Sequence, residues 1–274
     1  MNDEEIEIID CICSWYDLLG YGTPFVEANW NLHDEQCKKN VDRMVNLNML
    51  FHTSWSITPC GTRLAFNDGF ASTIDIDVSS SEHYNHLLFF LEGAIKDFSS
   101  INHFDKEKGF PGIRGIITYG QRFSYDPCSQ HYDVITKQTI SYFPVEFQMN
   151  TAFSKAFILE ESGSRANITG NNLYFDITVY KFLEQSANTI GFHPPEVFEQ
   201  EDDFLVKIYD INGWFADLRV EKDEIVFGES TNYNNRGIKT TLYKYKSLHS
   251  KIDDYAKDVA YQQFCRYAKI EDDE

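Results

Sequence analysis

A chain of 274 residues with 42% hydrophobic residues can bury a full core, as one large domain or one domain with an appendage, and this excludes disorder as the default reading. Its formal net charge of −19 excludes non-specific binding to nucleic acid or to an anionic membrane surface, because Lys and Arg drive both by neutralising phosphate. The six cysteines (Cys11, Cys13, Cys37, Cys60, Cys128 and Cys265) contain no CxxC pair, which excludes a zinc ribbon and a disulfide framework.

The 22 phenylalanines and 16 tyrosines favour a sheet-rich fold packed through aromatic rings. The acidic start, MNDEEIEIID, reads as neither a signal peptide nor a transit peptide. No apolar run reaches the roughly 18 residues of a membrane span. The expectation is a soluble, reduced, cytoplasmic protein with no nucleic-acid or membrane partner.

In chain order, residues 5–19 read as a buried strand ending in SWYDLLGYGTPF. Its acid, Asp17, either opens a turn or holds a metal ion above a phosphate-binding loop. Residues 33–52 carry Val41, Met44, Val45, Met49 and Leu50 at helical spacing, with Asp34 as the cap. WSITPCGTRLAF and FASTIDIDV are two strands around the hairpin signal Asn67-Asp68-Gly69. A helix follows, capped by Ser80 or Ser81, with Leu87, Leu88, Leu91 and Ile95 as its buried stripe. Residues 112–123 and 136–147 read as strands, and 150–163 as a helix ending at Gly163. The order β-α-β-β-α-β predicts an α+β, ferredoxin-like (split βαβ) sheet with helices on one face.

The last third differs. HPPEVFEQEDD (193–203) reads as a Pro-rich acidic connection, residues 204–220 as a hairpin turning at Asn212-Gly213, and 237–245 as an alternating strand. Residues 247–268 carry Leu248, Ile252, Tyr255, Val259 and Phe264 at amphipathic helical spacing. The expected division is a domain at 1–192 and a β-hairpin and helix extension at 193–274, packed on it or separate.

Four blocks, in this order, resemble the catalytic domain of class III nucleotidyl cyclases, the adenylyl and guanylyl cyclase superfamily, over about residues 5–176. They are YDLLGYG (16–22), FNDGFAST (66–73), IRGIITYG (113–120) and NTAFSKAFILE (150–160). The resemblance implies metal-dependent conversion of a nucleoside triphosphate to a cyclic nucleotide, for signalling or defence. The 3′-hydroxyl attacks the α-phosphorus and pyrophosphate leaves. It further implies two Mg²⁺ or Mn²⁺ ions on Asp17, Asp68 and the Leu18 carbonyl, with phosphates cradled by the backbone of Gly20, Tyr21 and Gly22. A homodimer would build each site across its interface.

The chain departs from the family at other positions. The helix slots for an Asn and a transition-state Arg hold Ser154 and Ile158, and the preceding glycine slot holds Asn150. The base-reading slots hold Leu64 and Phe147, and Lys155, Arg63 and Arg114 lie outside the family's positions. Two functions therefore stand side by side: a divergent cyclase, and a catalytically silent cyclase-homology protein serving as a nucleotide- or metal-binding or protein-interaction module. An unrelated α+β binding protein is the third reading.

Overall fold

The computed structural model describes residues 7–53, 61–77, 81–125, 132–133, 138–139, 144–200, 203–209 and 221–250. Strand β1 (Glu7–Leu18) sits inside the sheet, and its residues from Cys11 to Tyr16 are all buried. Its pleat sends Ile12, Tyr16 and Leu18 to one core and Cys11, Cys13 and Trp15 to the other. A strand apolar on both faces reads as an unbroken hydrophobic run, which is why it was legible.

After β1 come α1 (Thr23–Glu27), α2 (Glu35–Thr53), β2 (Gly61–Ala65), β3 (Gly69–Ile76), α3 (Ser81–Lys108) and β4 (Ile113–Ser124). The four strands run β2-β3-β1-β4 with every pair antiparallel, which is the ferredoxin-like order. A two-residue ladder, β5 (Tyr132–Asp133) and β6 (Gln138–Thr139), precedes α4 (Thr151–Ser162). Then follow β7 (Leu173–Asp176), α5 (Ile177–Thr189), β8 (Glu196–Gln200), β9 (Asp203–Tyr209), β10 (Glu221–Asn235) and β11 (Ile238–Ser250). The complete sheet has nine strands in the order β2-β3-β1-β4-β7-β11-β10-β9-β8.

Helices α3 and α5 pack on one face, through Leu87, Leu91, Ile95, Val179 and Phe182. Helix α4 lies on the other face, with Ala152, Ala156 and Leu159 against Cys13, Trp15 and Ile116, joined there by Tyr233 and Leu242 of the β10–β11 hairpin. That second face therefore has a helical cover of its own. Gly120 permits it: a Cβ there would stand 2.5 Å from the Ala152 nitrogen, so the first turn of α4 rests directly on β4.

Several expectations need correction. Helix α2 forms and Asp34 caps it, accepting a bond from the Gln36 N–H at 2.9 Å, but three residues of its expected core stripe point outward, while Met44 packs partly on the core. Val41, Val45 and Met49 are 58%, 51% and 61% exposed, and the helix buries Cys37, Asn40, Arg43 and Leu47 instead. Hydrogen bonding sets this rotation. Arg43 pairs with Asp105 of α3 through two bonds, at 3.2 and 2.5 Å, and both side chains are fully enclosed. The same guanidinium donates to the carbonyls of Leu19 and Gly112, each at 3.2 Å. It also stacks 4.8 Å from the ring centre of Phe110.

Of the strand expected at 136–147, Gln138–Thr139 form β6, residues 145–147 belong to a turn, and 136–137 and 140–143 lie outside the described residues. The supposed connection at 193–203 holds β8, the sheet's outer strand. Residues 247–250 are the end of β11, so Leu248 is in a strand. The Asn212-Gly213 turn and residues 251–268 fall outside the described residues.

Replacing Arg43 by Ala leaves the Asp105 carboxylate buried without its partner, the costly way to break such a pair. The expected loss is about 3–5 kcal/mol of folding stability, read from the urea midpoint, against less than about 0.5 kcal/mol for Val45→Ala on the exposed side of the same helix.

Candidate functional site

The end of β1 carries the site. Asp17 is paired in register with Gly69 of β3 on one side and Arg114 of β4 on the other. The Leu18 N–H donates to the Asp68 carbonyl at 2.7 Å, which sets the Asn67-Asp68-Gly69 hairpin beside the end of β1. The chain then turns through Gly20, whose φ of +68° suits glycine, and a Cβ there would press within 3.0 Å of Pro111. Asp17, Leu18, Gly20, Tyr21, Gly22 and Asp68 all line one open cleft of about 570 Å³, with Glu27 as a third acid. The six residues singled out from sequence are thus brought together.

Within the turn, the Tyr21 N–H donates to the Leu18 carbonyl at 3.1 Å and the Thr23 N–H to the Gly20 carbonyl at 3.2 Å. The N–H groups of Gly20 and Gly22 make no hydrogen bond within the described residues. They, rather than Tyr21, are the donors open to a ligand. The Leu18 carbonyl keeps one lone pair beyond the turn bond.

Burial pushes the Asp17 carboxyl up to about 6, with Glu160 and Asp68 adding to the rise and Arg114 and Arg43 opposing it. Arg114 is the cation nearest this group, its Nη2 lying 3.8 Å from Asp17 Oδ2. Its Nε donates to Glu160 Oε1 at 2.8 Å, and Nη2 bonds the same oxygen. Glu160 is buried on α4 and also faces the Trp15 indole N–H at 3.5 Å. Sequence reading gave Arg114 no role, since it lies outside the family's positions. Its position directly opposite Asp17 across β1 and β4 was the signal available.

The other two cations noted from sequence are occupied. Lys155 lies 2.6 Å from the buried Asp176, and Arg63 lies 2.5 Å from the buried Asp97 of α3. Ser154 is exposed on α4 and donates back to the Asn150 carbonyl at 2.9 Å, and Ile158 is half-buried on the same helix. Asn150 caps α4, accepting from the Phe153 N–H at 2.8 Å. Leu64 and Phe147 belong to the apolar cluster under α4 and offer no polar base contact.

Among the described residues no three His, Cys, Asp or Glu side chains converge to hold a metal. Two carboxylates and one carbonyl are nonetheless the donor set that suits Mg²⁺, which takes one or two carboxylates and completes its shell with water and substrate phosphate. The residues present fit such an ion.

No family model and no curated protein matches the chain. Solved structures are similar to it in fold. The guanylyl cyclase Cya2 is 10% identical, with 90% of this chain and 96% of that one covered and a TM-score of 0.44. The adenylate/guanylate cyclase/hydrolase of Silicibacter pomeroyi is 10% identical over 89% of this chain and 99% of that one, with a TM-score of 0.41. The guanylyl cyclase domain of the RhoGC fusion protein from the aquatic fungus Blastocladiella emersonii is 10% identical over 89% and 98%, with a TM-score of 0.40. The chain itself is an α+β protein whose first four strands follow the ferredoxin-like order.

Because the Asp17 carboxyl holds its proton to about 6 when folded and only to about 3.8 when not, its contribution to stability is complete below about pH 4. It is lost as the pH rises to about 6. The urea midpoint of the metal-free protein, compared with that of Asp17→Asn over this window, is expected to fall with rising pH. A constant difference between the two proteins from pH 4 to 7 would contradict the buried, proton-holding carboxyl.

Proposed function

We propose that this chain binds a nucleoside triphosphate with a divalent cation between Asp17 and Asp68 and converts it to a cyclic nucleotide. The observation that carries this reading is the convergence of a strand-end carboxylate, the carboxylate of the neighbouring hairpin turn and a glycine turn with two open N–H groups on a single cleft. Asp17, Asp68 and the Leu18 carbonyl would hold the cation, Mg²⁺ or Mn²⁺. When bound, such an ion supplies charge neutralisation at the triphosphate and acidifies the attacking hydroxyl.

The chain's own groups do the rest. The Gly20 and Gly22 N–H groups donate to phosphate oxygens and fix the triphosphate along the turn. Above about pH 6 Asp17 is ionised and available to the cation. Arg114, held by Glu160, keeps a guanidinium at the edge of the site where charge develops on the phosphates. The 3′-oxygen forms its bond to the α-phosphorus as the bond to the β-phosphate oxygen breaks, the hydroxyl proton goes to solvent, and pyrophosphate leaves.

A homodimer belongs to this reading. Phe157, which packs against Trp15 in the aromatic cluster with Phe66 and Phe153, is 45% exposed and offers apolar surface to a second copy. One observation favours the silent alternative. Ser154 and Ile158 bring no charge to α4, and Lys155 is committed to Asp176.

Purified chain incubated with each of the four ribonucleoside triphosphates and Mn²⁺ is expected to release pyrophosphate and a cyclic product from at least one. The variant with Asp17→Ala and Asp68→Ala is expected to lose the product and the Mn²⁺-induced rise in Tm. Nucleotide binding without product at any pH or chain concentration would move the protein to the silent reading. Light scattering that gives a single-chain mass with nucleotide and Mn²⁺ present would remove a shared active site.

A further inference from the structure

A second cleft, of about 380 Å³, opens on the far side of the Gly20 turn. It shares Gly20 and Thr23 with the acidic cleft, so the two are continuous along the turn. Its chemistry is opposite in sign. Lys39 of α2 and Lys108 at the end of α3 line it, and Asp42 is its one acid.

Cations are scarce in a chain of net charge −19, and Arg43, Arg63, Arg114, Arg122 and Lys155 are each committed to a carboxylate. Lys39 and Lys108 have no carboxylate within ion-pair distance among the described residues, and Lys108 only flanks the Phe104 ring at 6.0 Å. Two uncommitted ammonium groups from different helices therefore converge on one cleft. Its walls are rigid. Asn40, next to Lys39, is buried and donates to the Tyr21 carbonyl at 2.7 Å, and Arg43 ties the 109–112 loop to the turn through the Gly112 and Leu19 carbonyls.

We infer that this cleft receives the terminal phosphates of the triphosphate whose cation-bound part lies between Asp17 and Asp68. The inference rests on the reading given under Proposed function. A cleft lined by three acids accepts a polyphosphate only where a cation intervenes, so phosphates beyond the cation's reach are repelled there. Arg114 is committed to Glu160, and the uncommitted positive charge bordering the turn is across Gly20. Lys39 and Lys108 then bind the end of the chain as point charges, and the turn between the clefts lies under its middle. Such a subsite distinguishes a triphosphate from a monophosphate, which is too short to span both clefts, independently of the base.

Calorimetric titration of the full chain with inorganic tripolyphosphate in Mg²⁺ tests this directly. The double variant Lys39→Gln, Lys108→Gln is expected to bind tripolyphosphate about tenfold more weakly, with recovery in Lys39→Arg, Lys108→Arg. The Mn²⁺-induced rise in Tm should be unchanged in both, since the cation ligands are untouched. Tripolyphosphate binding equal in wild type and the glutamine variant, or absent in wild type, overturns the subsite. Lysine-dependent binding that persists undiminished in Asp17→Asn, Asp68→Asn would overturn the shared occupancy, because the clefts would then act separately. Lysine-dependent and aspartate-dependent binding in a chain that makes no cyclic product supports the subsite and removes only the cyclase activity.

Discussion

Almost everything at the cleft end of this sheet hangs on the Arg43 guanidinium. It is buried, it is always charged, and its planar fork meets four acceptors: both oxygens of Asp105 and the carbonyls of Leu19 and Gly112. Those acceptors belong to α3, to the turn after β1 and to the loop before β4. One side chain of α2 therefore sets the spacing of three segments far apart in sequence. Desolvating such a group is expensive, and only near-complete pairing makes it tolerable. The rotation of α2, the outward Val41, Val45 and Met49, and the positions of both clefts follow from meeting that demand.

The charges around the Gly20 turn are arranged by side. Acids gather at the strand ends and lysines behind the turn, and Arg114 is placed between the acid of β1 and the acid of α4. Glu160 draws Arg114 away from full contact with Asp17, which leaves the Asp17 carboxyl less stabilised as an anion than a direct pair would make it. Under the proposed function, a cation between Asp17 and Asp68 would supply what Arg114 withholds. Because Glu160 is part of the helix on the opposite face, occupancy of the cleft and the seating of α4 share one set of hydrogen bonds.

The βαββαβ half was readable because its strands β1, β3 and β4 carry continuous buried runs and its helices are long. The site residues were readable for a local reason: Asp17 through Gly22 form one continuous stretch, and Asp68 sits in a hairpin whose turn residues announce themselves. What was missed depends on distance or on brevity. The Arg114–Glu160 bond joins residues 46 apart and the Arg43–Asp105 bond residues 62 apart, separations that no periodicity encodes. Strand β7 is only four residues long, hidden between a glycine-rich turn and α5. Strand β10 reads as polar because Glu221, Lys222, Asp223, Glu224 and a run ending in Asn234-Asn235 dilute its few core contacts, Ile225, Phe227 and Tyr233. Pro194 and Pro195 disguised β8, which tolerates them just before an edge strand.

The insertion of β11 between β7 and β10 has a bearing on synthesis. A nascent chain that has emerged through residue 200 holds β1 to β4 complete and can lay β7 along β4, yet the other edge of β7 has no neighbour. That edge is filled by Leu242, Tyr243 and Lys244, so the ribosome must deliver more than forty further residues before the two halves of the sheet can join. During that interval an unpaired strand edge faces solvent or a chaperone, and the speed of translation, rather than the strength of any contact, fixes how long it stays open.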